Sequence, residues 1–245
     1  MHSYAIKYLV QSTVTQKGVI ISMKRFKITD IVIGIVFTLL FISISVVFTI
    51  NFRPLYYMDV GLLNIEAASG LPKSEILQNY NALIDYSSPF FKGALEFPTL
   101  AASQSGLQHF EEVKNIFTAF YYLAALTLII AVIIIVYKKK KGDFSYLLIS
   151  SITAVVLPLL IAFFMALDFD RAFLLFHKLF FKNDYWLFDP ATDPVITMLP
   201  DSFFLHCAVL IIVIVLLFSA AFGALYIWKR THSSIKYRHN SKLHF

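Results

Sequence analysis

The chain is poor in charge and almost free of cysteine, and it lacks the short motifs of the common soluble enzymes. Asp, Glu, Lys and Arg make up 15% of its 245 residues, against roughly 25% in an ordinary soluble domain. That scarcity argues against a soluble enzyme and against a disordered tail held open by its own charge. Cys207 is the single cysteine, so an intrachain disulfide framework is excluded and no thiolate pair is available. There is no His-Glu-x-x-His zinc sequence, Gly-x-Ser-x-Gly elbow, phosphate loop or dinucleotide fingerprint. Nothing in the sequence therefore calls for a cofactor or a metal.

What the chain has in abundance is apolar surface. The hydrophobic set AVILMFWYC accounts for 58% of residues, with 25 Phe. Uncharged stretches cover 31–52, 115–137, 145–167 and 202–228. Each reaches the ~20 residues that carry a helix across ~30 Å of hydrocarbon. A β-barrel would alternate apolar and polar positions, and these runs do not. The fold class expected is an all-α membrane protein with four transmembrane helices.

Charge orients the bundle. Lys24, Arg25 and Lys27 precede the first run, Lys138 to Lys141 close the second, and Lys229 with Arg230 closes the fourth. Placing these clusters in the cytoplasm puts both termini inside. Inner segments then hold 14 of 21 Lys and Arg but only Asp30 and Asp143 among the acids. Outer segments hold the other 7 bases and 13 of 15 acids. The net charge of +6 thus reflects contact with an anionic inner leaflet and not nucleic-acid binding.

The chain divides into an N-terminal extension (1–23), a transmembrane catalytic domain (24–230) and a basic cytoplasmic tail (231–245). Met23 precedes Lys-Arg and is a candidate start of translation. The first apolar run is long, lacks a small-x-small cleavage site followed by mature sequence, and reads as a retained signal anchor. No cysteine stands near it to be lipidated, so the protein is not expected to be a lipoprotein itself.

Two structured extracellular loops, 53–114 and 168–201, are where function is expected. In the first, Gly70-Leu71-Pro72 marks a stop and places a proline at a plausible helix start. Ile76, Leu77, Tyr80, Leu83 and Ile84 then follow helical spacing up to Ser87-Ser88-Pro89. That helix reads as a lid lying on the membrane or over the bundle mouth. Gly106 reads as a turn ahead of a helix that enters the second run unbroken, with His109 about 10 Å before Ile116. The third run is expected to continue as one helix through Asp170 and Arg171 to His177.

Of seven histidines, His109, His177 and His206 lie on the outer side. His206 sits in a Phe-Phe-Leu-His turn and reads as a packed helix-end residue. His109 and His177 share headgroup depth, where the esters of a glyceryl lipid lie, and imidazole both accepts and donates protons near neutrality. Glu112, one turn from His109, Asp170 and Asp184 are acids able to orient an imidazole. Arg53 and Arg171 stand just outside helices one and three and suit an oxyanion, a phosphate or a peptide carbonyl. Transport would call for ionisable groups near mid-membrane, and the four runs contain none.

Two stretches carry a family resemblance. One is Gly-x-x-His-Phe-x-x-Val-Lys, here Gly106 to Lys114. The other runs through Phe176-His177, Phe180-Phe181, Asn183-Asp184, Trp186, Pro190, Asp193 and Leu199-Pro200. Together they resemble the lipoprotein intramolecular transacylases of low-GC Gram-positive bacteria, over about residues 24–230. The resemblance implies an acyltransferase whose partners are diacylglyceryl-modified lipoproteins. The sn-2 chain moves from glycerol to the cysteine α-amine, leaving an N-acyl lyso-form. It places the two family histidines on His109 and His177, with Asn183, Asp184 and Trp186 in the substrate-binding segment.

On this reading the catalytic set is His109, His177, Glu112 and Asp170, and the substrate-binding set is Arg53, Arg171, Asn183, Asp184 and Trp186. His109 is assigned as base towards the amine with Glu112 orienting it, and His177 as proton donor, an order open to reversal. The protein is expected to be a monomer in the phospholipid of the plasma membrane. The alternatives are a membrane-embedded histidine-dependent lipid or peptide hydrolase and a non-catalytic envelope binding protein.

Overall fold

A computed structural model describes residues 28–241, with the side chains of 157 and 233–241 left out of the description. The extension 1–23, with its candidate start at Met23, lies outside the described residues. So does the end of the basic tail, 242–245. Every regular element among the described residues is helical: α1 (Ile28–Asn51), α2 (Arg53–Leu62), α3 (Ile65–Ser69), α4 (Lys73–Tyr86), α5 (Gln104–Lys140), α6 (Ser145–Leu167), α7 (Phe169–Phe180), a 3-10 turn (Pro194–Met198) and α8 (Asp201–Ser241).

Helices α1, α5, α6 and α8 are long and apolar enough to cross a membrane. Helix α1 packs against the other three, and its buried face alternates bulk with small groups. Phe37 and Phe41 meet Tyr146 of α6 and Phe218 and Phe222 of α8, at ring separations of 4.9–5.8 Å. Gly34 lets α1 approach α6 closely: a Cβ there would fall 2.8 Å from Thr153. Small residues serve this purpose in lipid, where water supplies no force between helices. The outward faces of α5 and α6, including Leu126, Ile129, Ile133, Val156 and Phe163, are exposed, as a lipid-facing surface requires.

At the lysine-rich end, Lys138 bonds Asp143 at 2.8 Å and reaches Asp30 of α1 at 3.7 Å. The other end carries a cap made by α2, α3, α4, residues 87–103 and the 3-10 turn. Its core gathers Tyr56, Val60, Ile76, Tyr80, Val195 and Met198, all buried, with Phe110 and Phe203 from the ends of α5 and α8. Tyr56 stacks on Tyr80 at 3.7 Å and donates its hydroxyl to the Met198 carbonyl at 2.7 Å. The lid helix expected from Pro72 to Ser87 is α4, and its apolar face is spent on this core.

Four local features depart from the sequence reading. Pro72 stands just before α4 in extended conformation and not inside its first turn. Gly106 lies within α5, whose cap is Ser103 accepting from the Gly106 amide at 3.0 Å. The third run does not continue to His177. It stops at Leu167, and Asp168, with φ −163° and ψ 98°, starts the separate helix α7 by accepting from the Arg171 amide at 2.9 Å. Helix α8 runs past Trp228 to Ser241, because no Gly or Pro intervenes to end it.

Candidate active site

Two imidazoles supplied by two helix ends come together beside the cap. His109 sits in the second turn of α5, ahead of the apolar run, and His177 sits in the last turn of α7. Both are buried, and their ring centroids are 6.2 Å apart. Helix α7 turns His177 inward while leaving Leu175, Phe176, Leu179 and Phe180 exposed, so its apolar face suits the lipid boundary.

Aromatic rings enclose the pair. Phe181 lies 4.6 Å from His109 and 5.6 Å from His177, Phe188 lies 5.5 Å from His109, and Trp186 lies 4.8 Å from His177. The segment after α7 is fixed by its own polar groups. The Trp186 indole N–H donates to the Asn183 carbonyl at 3.0 Å, and the Asn183 side-chain oxygen accepts from the Tyr185 amide at 3.1 Å. The Asn183 amide then donates to Glu112 Oε1 at 2.8 Å, tying this segment to α5.

A second tie lies at the start of α5. The buried Asp193 carboxylate accepts from the Ser103 amide at 2.8 Å and from the Thr192 hydroxyl at 2.8 Å. It fits because residue 106 is glycine: a Cβ there would fall 2.2 Å from Asp193 Oδ1. The glycine serves a close approach, and not the turn expected of it.

The two imidazoles differ in their surroundings. His177 Nδ1 is 2.8 Å from the Phe173 carbonyl, which only accepts, so Nδ1 carries a proton and Nε2 is the accepting nitrogen of the neutral ring. Burial lowers the His177 pKa, while the Phe173 carbonyl and Asp201 raise it in part. For His109, burial and then the nearby His177 push the pKa down to about 4. Its Nδ1 is buried without a hydrogen-bond partner. Burial thus favours the neutral form of both rings, and only His177 has neighbours, the Phe173 carbonyl and Asp201, that oppose it.

The remaining expected residues divide. Glu112 bonds Asn183 and makes no hydrogen bond to His109, so it does not orient that ring as expected; its Oε2 is buried and unpartnered. Arg53 is engaged by Asp85 and Asn81 of α4. Asp170 and Arg171 are exposed in the first turn of α7, nearly two turns from His177. Asp184 is exposed and contributes its carbonyl to the turn, accepting from the Leu187 amide at 3.0 Å. The structure thus joins His109, His177, Trp186, Asn183 and Glu112 and leaves the other four apart.

His206 has a partner that the sequence reading missed. Its Nδ1 donates to both oxygens of Asp59, each at 2.9 Å. Asp59 is fully buried in α2. An acid between the apolar positions Tyr56 and Val60 was the available signal. Among the described residues no group of three or more His, Cys, Asp or Glu is arranged to hold a metal ion.

Comparison with known proteins addresses the same segments. The model of the family "Lipoprotein intramolecular transacylase Lit" matches residues 31–204. The in meso structure of the membrane-integral lipoprotein intramolecular transacylase Lit from Bacillus cereus superposes with a TM-score of 0.81 at 37% identity, covering 84% of this chain and 98% of that one. A variant of the Bacillus cereus protein with a histidine-to-arginine substitution gives 0.76 at 34% identity, covering 96% and 100%. No curated protein matches the chain. Because the family match spans both histidine-bearing segments and the solved relatives superpose over most of the chain, this chain belongs to the lipoprotein intramolecular transacylase Lit family.

Proposed function

We propose that His109 and His177 carry out the family's acyl transfer, on a diacylglyceryl-modified lipoprotein held at the seam between cap and membrane. The protein is an intramolecular acyltransferase of the cell membrane. Its reaction moves the sn-2 acyl chain of the substrate's glyceryl group to the α-amine of the same cysteine. The observation that carries the site assignment is the buried pair of imidazoles, with ring centroids 6.2 Å apart, close enough for both to act on one reacting ester.

The chemistry needs little beyond position and proton traffic. The amine nitrogen attacks the ester carbonyl carbon, the bond to the sn-2 oxygen breaks, and an amide forms. One proton leaves nitrogen and one arrives on the glycerol oxygen. His109, kept neutral, accepts the first. His177, whose Nε2 is an acceptor in the neutral ring, must first take up a proton there and then passes it to the glycerol oxygen. The α-amine has a pKa near 7.7–8.0, so its neutral form is accessible at physiological pH. Both reacting groups hang from one cysteine, so the attack is effectively unimolecular. The amide is more stable than the ester, which gives direction without an energy source.

The apolar face of α7 (Leu175, Phe176, Leu179, Phe180) lets acyl chains reach His177 from the bilayer. The cap lies outside the cell and both termini lie in the cytoplasm, a reading supported by the lysine cluster at the opposite end. A monomer suffices, since one chain supplies both histidines. The test is expression in cells lacking other N-acylating enzymes, with mass spectrometry of the N-terminal lipopeptides. An N-acyl cysteine carrying one glyceryl ester is the expected product. A free amine with both esters intact overturns the proposal.

A further inference from the structure

We propose that Glu112 receives the substrate's α-amino group, on a pair of acceptors formed by its Oε2 and His109 Nδ1. The proposal rests on the transacylase reading above. The two oxygens of Glu112 are not equivalent: Oε1 takes the Asn183 amide at 2.8 Å, while Oε2 is buried with no hydrogen-bond partner. One turn earlier on the same helix, His109 Nδ1 is also buried without a partner, in a side chain only 5% exposed. Residues three apart on a helix are neighbours, with Cβ atoms roughly 5–6 Å apart.

Both atoms accept hydrogen bonds: a carboxylate oxygen always does, and a neutral imidazole has one accepting nitrogen. What completes such a pair is a donor with several N–H bonds, favoured further by positive charge. The protein's own nearby cation is occupied elsewhere, since Lys114 donates to the Phe91 carbonyl at 3.1 Å and lies over the Tyr86 ring at 4.3 Å. The cysteine α-amine has the required chemistry and must reach His109 to react.

The position also suits the reaction. An amine nitrogen becomes cationic as it attacks a carbonyl, so a carboxylate beside it stabilises the transition state more than the neutral amine. Glu112 also borders a cavity of about 640 Å³ lined by Gln104, Gln108, Glu111 and Asn115 on one side and Tyr86 and Leu95 on the other. The peptide that begins at the bound amine runs into this cavity, away from the lipid.

The test uses the full chain in lipid nanodiscs and three lipopeptides whose glyceryl chains are ether-linked and cannot transfer. One has a free α-amine, one an N-acetyl group, and one a hydroxyl in place of the amine. Wild type should bind the free-amine form about tenfold or more tightly than either of the others, the size of one charge-assisted hydrogen bond. Glu112→Gln should bring that ratio within about twofold while keeping the Asn183 bond through its side-chain oxygen, and Glu112→Asp should restore part of it. A ratio near one in wild type, or a full ratio retained in Glu112→Gln, overturns the proposal. The wild-type ratio decides on its own if the variant does not fold. Turnover of an ordinary diester lipopeptide is measured in parallel, and its absence counts against the transacylase reading whatever the binding ratio.

Discussion

The cap contains two polar pairs built around histidine, and they are finished differently. His206 gives its Nδ1 proton to Asp59, and that buried carboxylate is satisfied by both of its oxygens. His109 and His177 face one another with no acid between them, and His109 Nδ1 has no partner at all. The first pair ties α2 to α8 within the fold. The second leaves accepting and donating atoms free inside an aromatic enclosure, as a site must if it is to bind a reacting group.

Substitutions should separate the two pairs. His109→Ala or His177→Ala is expected to lower lipopeptide turnover by about 100- to 10,000-fold, the usual worth of a positioned acid or base, with little change in thermal unfolding. His206→Ala should do the opposite. It strands the buried Asp59 carboxylate and should cost about 3 kcal/mol of stability, the low end for a broken buried pair because His206 is 38% exposed. Replacing both residues with leucine should recover most of that loss in denaturation. If His206→Ala melts like wild type and loses turnover, the division between the pairs is wrong.

Smaller effects sharpen the same contrast. Gly106→Ala forces Asp193 away from α5 and should destabilise the cap by about 1–3 kcal/mol, with turnover falling as the 181–188 segment loosens. Acid should weaken the fold through His109. Its folded pKa, about 4, lies below the unfolded value near 6.5. Between these values the unfolded chain binds a proton that the folded chain does not. Stability is therefore complete above pH 6.5 and declines as pH falls towards 4. Melting curves from pH 7.5 to 4.5 should show this, and His109→Ala should reduce the slope. Asp170→Asn and Arg171→Ala should change stability by less than about 0.5 kcal/mol and turnover by less than twofold, since both are exposed and stand apart from the site.

The four spanning helices were legible because lipid imposes a long, uninterrupted apolar run that little else produces. The lid helix was legible from its spacing, and the two histidines from their depth. Helices α2 and α3 escaped because short helices in a mixed polar segment leave no sustained period. The break at Asp168 escaped because an acid that caps one helix looks, in sequence, like an acid on the surface of another. The Asp59–His206 pair escaped for a different reason: its members are 147 positions apart, and only the packing of the cap brings them together. Asn183 was placed in the substrate segment by resemblance, and its bond to Glu112 became visible only in three dimensions.

Helix α5 is continuous from Gln104 to Lys140. His109 and the apolar run beginning near 115 therefore share one rigid rod, at about 1.5 Å of rise per residue. With lysines anchoring the far end, the rod works as a depth gauge: the height of His109 stays fixed while the ester plane moves with the thickness of the surrounding bilayer. Lipids with shorter tails would lift the imidazole above the ester plane, and longer tails would sink it. Turnover in bilayers of graded tail length should pass through a maximum at the matched thickness.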